Sequence, residues 1–293
     1  MKALTSTDIK SLTLFSQGKV RDIYTYDQDQ LLIITTDRIS AYDVVMKQGI
    51  PGRGKLLNQL SNYWKTKFSD IVPNDIIIDN VDEMDKLTEQ EKNICRERSV
   101  VVKKLNVYPV EFIVRGYLAG SGWREYNQYG RIVDFVPPPG LRQNSKLPLP
   151  ALTPTTKEQQ GHDKPISWSD LLDIVFESVA EKIKSIAVEI YTQASEIAQN
   201  HGIIIADTKF EFAHNKKDEI FLIDEVLTPD SSRFWHKDEV KEGQSIPSYD
   251  KQNLRDWLDD QKWDHQSPPP DLSDEIIEKI TIKYQEIYEL LKS

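Results

Sequence analysis

Hydrophobic and polar residues alternate over short runs in the first third of the chain, a pattern typical of β-strands. Turn-forming residues separate the first runs at 17–18 and 27–29, and this spacing predicts an antiparallel meander. The predicted strands are residues 12–15, 19–26, 30–36, 76–78, 99–105, 111–117 and 131–136. Between them Leu57, Leu60, Trp64 and Phe68 recur at helical spacing, which predicts an amphipathic helix over residues 54–68.

The pattern changes in the second half. Residues 137–154 are proline-rich and predict an ordered loop that crosses one face, because proline suits neither regular helix nor central strand. The longest helical pattern spans 168–201, with Ser167 as its cap and Gly202 after its end. Two further strands, 203–212 and 219–226, predict a β-hairpin, and 251–263 and 274–291 predict two closing helices. The predicted class is α+β with two lobes, residues 1–105 and 106–293.

Composition narrows the class of protein. The 293 residues carry 37 basic and 47 acidic side chains, a net charge of −10 that disfavours sequence-independent nucleic-acid binding. One cysteine, Cys95, excludes an internal disulfide framework, and the five scattered histidines form no H-E-x-x-H metal motif. Without an 18-residue apolar run or a signal-peptide pattern, we expect a cytoplasmic protein without a membrane or nucleic-acid partner.

The predicted hairpin carries the clearest chemical pattern. Asp207, Lys209 and Glu211 alternate along the strand and therefore share one face. If the hairpin closes around 215–218, Asp224 lies opposite Lys209, whereas a one-residue slip places Glu225 there. Carboxylates around a lysine suit a hard cation such as Mg²⁺ and a phosphate or carboxylate ligand. The alternative is a solvated strand face with a cross-strand ion pair.

Arginines beside small residues predict anion binding at two further places. Arg233 lies in a turn rich in serine and aspartate, and Arg115 and Arg124 border a glycine-containing segment with Ser121. The alternative in each case is a surface turn that binds no ligand.

The segment that begins at Gly18 has the layout of a glycine-containing flap over ATP phosphates. Gly18 precedes Lys19 and Arg21, whose side chains alternate to one face of a predicted bend. A second glycine segment, 49–56, has the spacing of a P-loop but places Leu56 where that motif needs serine or threonine, so we reject a P-loop NTPase.

Together these segments resemble the SAICAR synthetase family of purine biosynthesis, in its longer variant. Residues 108–121, YPVEFIVRGYLAGS, keep the frame P-x-E-x-x-x-R-x-x-x-A-G-S. Residues 205–212, IADTKFEF, form the second signature, although Ala213 stands where the family usually has glycine. GKVRD at 18–22, DRISAYD at 37–43 and PDSSRFW at 229–235 match in order.

The resemblance implies an ATP-dependent ligase. It joins the carboxylate of carboxyaminoimidazole ribonucleotide (CAIR) to the amine of L-aspartate and forms SAICAR, ADP and phosphate, with an acyl phosphate between. ATP and Mg²⁺ are the implied cofactors, CAIR and L-aspartate the small-molecule partners, and a monomer or small homo-oligomer the assembly. The implied fold is two-lobed and α+β, with antiparallel sheets and a kinase-like nucleotide cleft between the lobes.

The resemblance also implies roles for individual residues. Lys209 and Asp207 lie at the reacting centre, and Glu211 and Asp224 hold the metal. The implied ATP-binding residues are Gly18, Lys19, Val20, Arg21, Lys104, Val107 and Glu111. The implied substrate-binding residues are Asp37, Ser40, Asp43, Arg115, Ser121, Lys157, Asp163 and Arg233.

Two other function classes stay open. A kinase-like phosphotransferase acting on another small acid would be expected to disturb the 115–121 frame, which is intact. A protein kinase is disfavoured because its H-R-D-x-x-x-x-N and D-F-G motifs are absent. A non-catalytic nucleotide-binding protein would be expected to lose Lys209, Glu211 or Asp224, and all three are present.

Overall fold

The structure, a computed structural model, describes residues 2–157, 164–249 and 251–292. Its strands are β1 (Thr13–Gln17), β2 (Arg21–Asp27), β3 (Gln30–Thr35), β4 (Ser40–Ala41), β5 (Val44–Val45), β6 (Ile76–Ile78), β7 (Ser99–Lys103), β8 (Asn106–Val107), β9 (Val110–Tyr117), β10 (Lys146–Thr156), β11 (Ile203–His214), β12 (Ile220–Ile223) and β13 (Ser232–His236). Its helices are α1 (Arg53–Lys67), α2 (Glu89–Cys95), α3 (Gly120–Tyr129), α4 (Trp168–Ile174), α5 (Glu177–Asn200), α6 (Gln252–Asp260) and α7 (Asp274–Lys292). Helices and antiparallel sheets together confirm the α+β class.

Contacts between Cα atoms divide the chain into two units. Unit 1 comprises Met1–Thr66, Asn74–Leu105 and Tyr249–Lys292, and unit 2 comprises Lys67–Pro73 and Asn106–Ser248.

Unit 1 contains an antiparallel sheet with the strand order β1-β2-β3-β7-β6, which confirms the predicted meander. In β2, Tyr24 and Tyr26 are buried and Thr25 between them is exposed, as the alternation of a half-buried strand requires. The buried face packs on Leu32 and Ile34 of β3.

The C-terminal helices belong to unit 1, which differs from the predicted division at residue 105. Leu254 and Leu258 of α6 and Ile276 of α7 share one buried core with Leu57 of α1. Their apolar faces therefore pack on α1, a partner about 200 positions away in sequence that local patterns do not reveal.

Unit 2 is built on a sheet with the order β10-β9-β11-β12, in which β11 also pairs with β8 and β13. Helix α5 packs against β9, β10 and β11. It buries Ala180, Ile183, Ala187 and Ile190, whose spacing of three and four places them on one helical face.

Three predicted elements of unit 2 were wrong. Residues 131–136 form an isolated bridge between Ile132 and Phe135 rather than a strand. The predicted loop over 137–154 overlaps most of β10, and the prolines of this strand are tolerated because β10 lies at the edge of the sheet. The predicted helix over 168–201 is broken into α4 and α5, because Val175 adopts extended backbone angles between them.

Two predictions about helix ends and hairpins were confirmed. The Ser167 side chain accepts a hydrogen bond from the backbone N–H of Asp170, and the Asp170 side chain accepts one from Ser167 in return. Strands β11 and β12 form the expected antiparallel hairpin.

Candidate active site

Polar side chains line one face of β11 in unit 2. Asp207, Lys209 and Glu211 alternate with Phe210 and Phe212, which are fully buried in the core. Strand β9 runs antiparallel beside them, with Arg115 opposite Asp207. The predicted face is therefore real, and its neighbours on β9 are also charged.

Lys209 lies between two carboxylates. Its Nζ donates to Glu111 Oε1 at 2.7 Å and to Glu211 Oε1 at 2.8 Å. The second oxygen of Glu211 accepts a hydrogen bond from Lys157 Nζ. Two ammonium groups and two carboxylates thus alternate in an ion-pair chain, and Glu211 within it is only 3 % exposed.

Burial and charge act in opposite directions on these groups. Burial alone would raise the pKa of Glu211, but Lys209 and Lys157 outweigh it and lower the pKa to about 2. Burial would lower the pKa of Lys209, yet Glu211 and Glu111 raise it above its ordinary value. Lys209 and Glu211 are therefore both charged at neutral pH.

Asp207 holds two arginines on the same face of the sheet. Its Oδ2 atom accepts from Arg233 Nη1 at 2.6 Å and from Arg115 Nη1 at 3.3 Å. Arg115 also donates from Nε to Thr153 Oγ1 at 2.8 Å and from Nη2 to Ser121 Oγ at 3.3 Å. Burial lowers the pKa of Arg115, as expected for a guanidinium that is 4 % exposed. Two guanidinium groups against one carboxylate leave a surplus positive charge here.

Glycines let both arginines approach the N-terminus of α3. A Cβ on Gly120 would lie 2.5 Å from Arg233 Nη2, and one on Gly122 would lie 3.2 Å from Arg115 Nε. The residue before the helix is Ala119, whose methyl group offers the first backbone N–H groups no acceptor. A helix N-terminus flanked by two arginines is an arrangement that binds phosphate or carboxylate.

The flap segment lies in unit 1, where Arg38 fixes its backbone. Gly18 and Arg21 close a turn, with the N–H of Gly18 2.8 Å from the carbonyl oxygen of Arg21. Arg38 donates to the carbonyl oxygens of Gly18 at 2.9 Å and Lys19 at 3.0 Å, and pairs with buried Asp22 at 2.7 Å. Burial alone would raise the pKa of Asp22, but the hydrogen bond from Arg38 contributes to a net lowering. The backbone of the flap is therefore anchored while the Lys19 side chain is half-exposed.

Asp37 has a structural environment although its motif suggested a substrate ligand. It is 1 % exposed, and its carboxylate accepts from the backbone N–H of Leu4 and of Gly54, each at 2.8 Å. Arg98 Nη1 lies 3.0 Å from the same carboxylate. These contacts tie the N-terminal segment to the first turn of α1.

The register of the hairpin corrects the position of Asp224. Glu211 pairs with Ile223, so an extended ladder would set Glu225, and not Asp224, opposite Lys209. β12 ends at Ile223, and Asp224 follows it at a φ of 60°. Asp224 is half-buried next to the strand residue that faces Glu211.

The other predicted residues are placed as follows. Ser40 lies in β4, Asp43 pairs with Lys19, Lys104 is exposed with its Nζ 5.0 Å from the Phe15 ring centroid, and Val107 is 48 % exposed in β8. Asp163 lies outside the described residues.

Sequence reasoning missed three contributors. It gave no role to Arg38 or Thr153, and it did not pair Lys157 with Glu211, which lies 54 positions away. The available signal for Arg38 was its place inside the segment DRISAYD at 37–43.

Within the described ranges, no group of three or more histidine, cysteine, aspartate or glutamate side chains is arranged to hold a metal ion. The helices of the described part include none that is long and apolar enough to span a membrane.

Comparison with known proteins gives consistent results. A sequence model of the SAICAR synthetase family matches residues 14–270. Phosphoribosylaminoimidazole-succinocarboxamide synthase from Thermodesulfovibrio yellowstonii is 47% identical over 288 residues, covering 98% of both chains. The enzyme of the same name from Haemophilus influenzae is 45% identical over 284 residues, covering 97% of both.

Solved structures share the fold. SAICAR synthase from Saccharomyces cerevisiae in complex with SAICAR aligns with a TM-score of 0.89 and 41% identity, covering 98% of this chain and 97% of that one. A SAICAR synthetase in complex with ADP aligns with a TM-score of 0.68 and 25% identity, covering 94% and 96% of the two chains.

Proposed function

The chain belongs to the SAICAR synthetase family, and on that basis we propose that it is the ATP-dependent ligase that joins CAIR to L-aspartate in purine biosynthesis. Full-length similarity to enzymes of that name supports the reaction, and relatives solved with SAICAR and with ADP support the ligands. The kinase-like phosphotransferase and the non-catalytic nucleotide-binding protein are disfavoured by the same similarity.

One observation in the structure carries the proposal. The face of β9 and β11 in unit 2 places the Glu111–Lys209–Glu211 chain beside the Arg115–Asp207–Arg233 cluster. The reaction brings together three anionic reactants, CAIR, L-aspartate and ATP, and the site therefore needs cationic groups to bind them. Lys209 of the first cluster suits a transferring phosphoryl group, and the two arginines of the second suit a phosphate or carboxylate of the ribonucleotide.

The chemistry explains why ATP is needed. A carboxylate is a poor acyl donor because its charge repels nucleophiles and oxide is a poor leaving group. In the first step a CAIR carboxylate oxygen attacks the γ-phosphorus, the bond to the bridging oxygen breaks, and ADP leaves. In the second step the L-aspartate amine attacks the acyl carbon, the bond to the phosphate oxygen breaks, and the amine gives a proton to water. SAICAR and phosphate are the products.

The residues of unit 2 divide between these tasks. We assign Lys209 to the charge of the transferring phosphoryl group, with Glu111 and Glu211 holding its ammonium in place. Arg115, Ser121 and Arg233 bind an anion of CAIR at the N-terminus of α3, and Asp207 orients both arginines beside the reacting centre. Lys157 forms an ion pair with Glu211, and from this position its ammonium group can also bind a substrate carboxylate.

Glu211 and Asp224 fit a Mg²⁺ ion in their donor chemistry. Both offer carboxylate oxygens, and Mg²⁺ in nucleotide sites is typically held by one or two carboxylates together with phosphates. Both oxygens of Glu211 are hydrogen-bonded to lysines, so a cation there would share the carboxylate with an ammonium group. When bound, Mg²⁺ would neutralise charge on the triphosphate.

The remaining assignments are proposals from the family resemblance. Gly18, Lys19, Val20 and Arg21 cover the ATP phosphates, Lys104 and Val107 border the base, and Glu111 lies near the ribose. Ser40, Asp43 and Asp163 contribute to the CAIR and aspartate side. Asp37 acts there indirectly, since its carboxylate is bound within unit 1. A cytoplasmic location and a monomer or small homo-oligomer stay predictions.

The test is ADP release with ATP, Mg²⁺ and CAIR, with and without L-aspartate, while the product is followed by ultraviolet absorbance and mass. We expect SAICAR only when L-aspartate is present. ADP release from ATP in the presence of CAIR, without formation of the amide, would indicate a phosphotransferase. ATP binding without turnover would indicate a nucleotide-binding protein.

A further inference from the structure

A two-residue turn in unit 1 has an unusual backbone. β4 and β5 pair as Ser40 with Val45 and Ala41 with Val44, which leaves Tyr42 and Asp43 as the whole loop. Both have positive φ, 51° and 63°. Positive φ at both central positions is the geometry of a type I′ turn, which normally selects asparagine and glycine. Tyrosine is a poor residue for it, because its Cβ crowds the backbone in the left-handed region.

The C-terminal segment holds the tyrosine ring of this turn. The Tyr42 ring stacks on the His265 ring with centroids 3.8 Å apart and an interplanar angle of 8°. The Tyr42 hydroxyl donates to Asp259 Oδ1 at 2.8 Å, and His265 Nε2 lies 3.2 Å from the same oxygen. Trp263 closes the cluster with an edge contact to Tyr42 at 6.4 Å. Ring stacking and a hydrogen bond therefore compensate the strained backbone.

The other residue of the turn faces the flap. The Asp43 carboxylate forms an ion pair with Lys19 Nζ, although both side chains are about half exposed. The backbone on the Lys19 side is fixed by Arg38, and the backbone on the Asp43 side is fixed by Tyr42. Two anchored segments thus present opposite charges to each other.

We propose that Tyr42 is a positioning residue that keeps the Asp43 carboxylate paired with Lys19 Nζ. ATP must therefore displace Asp43 from this lysine when it binds. The inference rests on the proposed function, because it takes Lys19 as a ligand of the ATP phosphates. The ion pair then lowers ATP affinity, because the Asp43 carboxylate neutralises the Lys19 ammonium that would otherwise attract the triphosphate. Loosening the turn releases Lys19, and ATP binds more tightly.

The direction of the change in ATP affinity distinguishes a positioning role of Tyr42 from general disruption of the fold. A misfolded or loosened flap would bind ATP more weakly, whereas release of Lys19 strengthens binding. Because exposed ion pairs are weak, we expect the ATP dissociation constant of Tyr42→Ala to fall about threefold. Tyr42→Phe keeps the stacked ring and loses only the hydrogen bond to Asp259, so its change is smaller.

Titration calorimetry of ATP with each full-length variant measures this effect. Tyr288→Phe is the matched control for Tyr42→Phe: it removes a hydroxyl elsewhere in unit 1 that donates to Gln59 at 2.7 Å and accepts from Lys292 at 3.1 Å, and we expect unchanged ATP affinity. Asp43→Asn should reproduce the gain of Tyr42→Ala, and the double variant should gain nothing more, because both act through one ion pair. Weaker or unchanged ATP binding by Tyr42→Ala, or additive effects in the double variant, would overturn the inference.

A second readout does not depend on ATP. The rate at which an amine-acetylating reagent modifies Lys19, followed by peptide mass spectrometry, should rise in Tyr42→Ala and not in Tyr288→Phe. A wild-type protein that binds no ATP would refute the proposed function, while this labelling would still decide whether Tyr42 keeps Asp43 on Lys19. Equal labelling of wild type and Tyr42→Ala would refute the positioning role.

Discussion

A methyl group added at Gly120 tests the proposed anion site at the N-terminus of α3. Gly120 has a φ of +53°, and its added Cβ would lie 2.5 Å from Arg233 Nη2. That distance is too short, so the guanidinium must move away from the helix. We expect Gly120→Ala to displace Arg233 and weaken CAIR binding.

The magnitude follows from two separate costs. An L-residue in the left-handed region costs about 1–2 kcal/mol, which lowers the free energy of unfolding without touching the site. Loss of a hydrogen bond between a guanidinium and an anion removes about 1.5–3 kcal/mol of binding. That corresponds to a dissociation constant for CAIR raised roughly 10- to 150-fold.

Gly130 supplies the matched control at the other end of the same helix. It has a φ of +68°, and an added Cβ would meet nothing within 4 Å. Gly130→Ala therefore carries the same backbone cost as Gly120→Ala without the contact to Arg233. We expect the two variants to lose similar stability in urea unfolding, while CAIR affinity falls only in Gly120→Ala.

Titration calorimetry with CAIR separates the two costs, and ATP titration checks that the rest of the site is intact. Equal CAIR dissociation constants for the two alanine variants would refute the reasoning. So would a Gly120→Ala protein that is less stable but binds CAIR as well as the wild type does.

Three further expectations concern the buried charges. Lys209→Ala or Glu211→Ala should abolish SAICAR formation while circular dichroism shows a folded protein; turnover retained by either would contradict the assigned roles. The Glu211 pKa is lowered from 4.5 to about 2, so its contribution to the free energy of unfolding is complete above pH 4.5 and is lost as pH falls towards 2. Urea unfolding across the acid range should therefore depend less on pH in Glu211→Gln, and an unchanged slope would argue against the ion-pair chain. Asp37→Asn should destabilise the fold by on the order of 3 kcal/mol, because it leaves Arg98 buried without its charge partner; an unchanged urea midpoint would refute that role.

The residues on β11 were predictable because strand geometry has a short period. Asp207, Lys209 and Glu211 share a face in any strand that contains them, whatever the rest of the fold does. Their partners were not predictable in this way. Lys157 contacts Glu211 from 54 positions away in sequence. It directly follows β10, a strand whose prolines predicted a loop instead.

Register and helix breaks depend on single backbone angles that composition does not determine. The hairpin pairing was open between Asp224 and Glu225, and the observed ladder follows the second alternative before β12 ends. Val175 interrupts a continuous helical pattern by adopting extended angles, although the pattern of apolar residues continues on both sides. Tertiary packing outweighs local propensity at such positions.

The segment 37–43 illustrates why a family motif identifies a segment more securely than it identifies roles. Asp37 and Asp43 stand at its two ends and match the family equally well. Asp37 is buried, with backbone N–H groups and an arginine on its carboxylate, so its charge is used to hold the loop to α1. Asp43 follows a residue with positive φ, which turns it out toward Lys19 and leaves its carboxylate half exposed. Burial and partner identity therefore separate the carboxylate that supports the fold from the one that a ligand can reach, and neither property can be read from the motif.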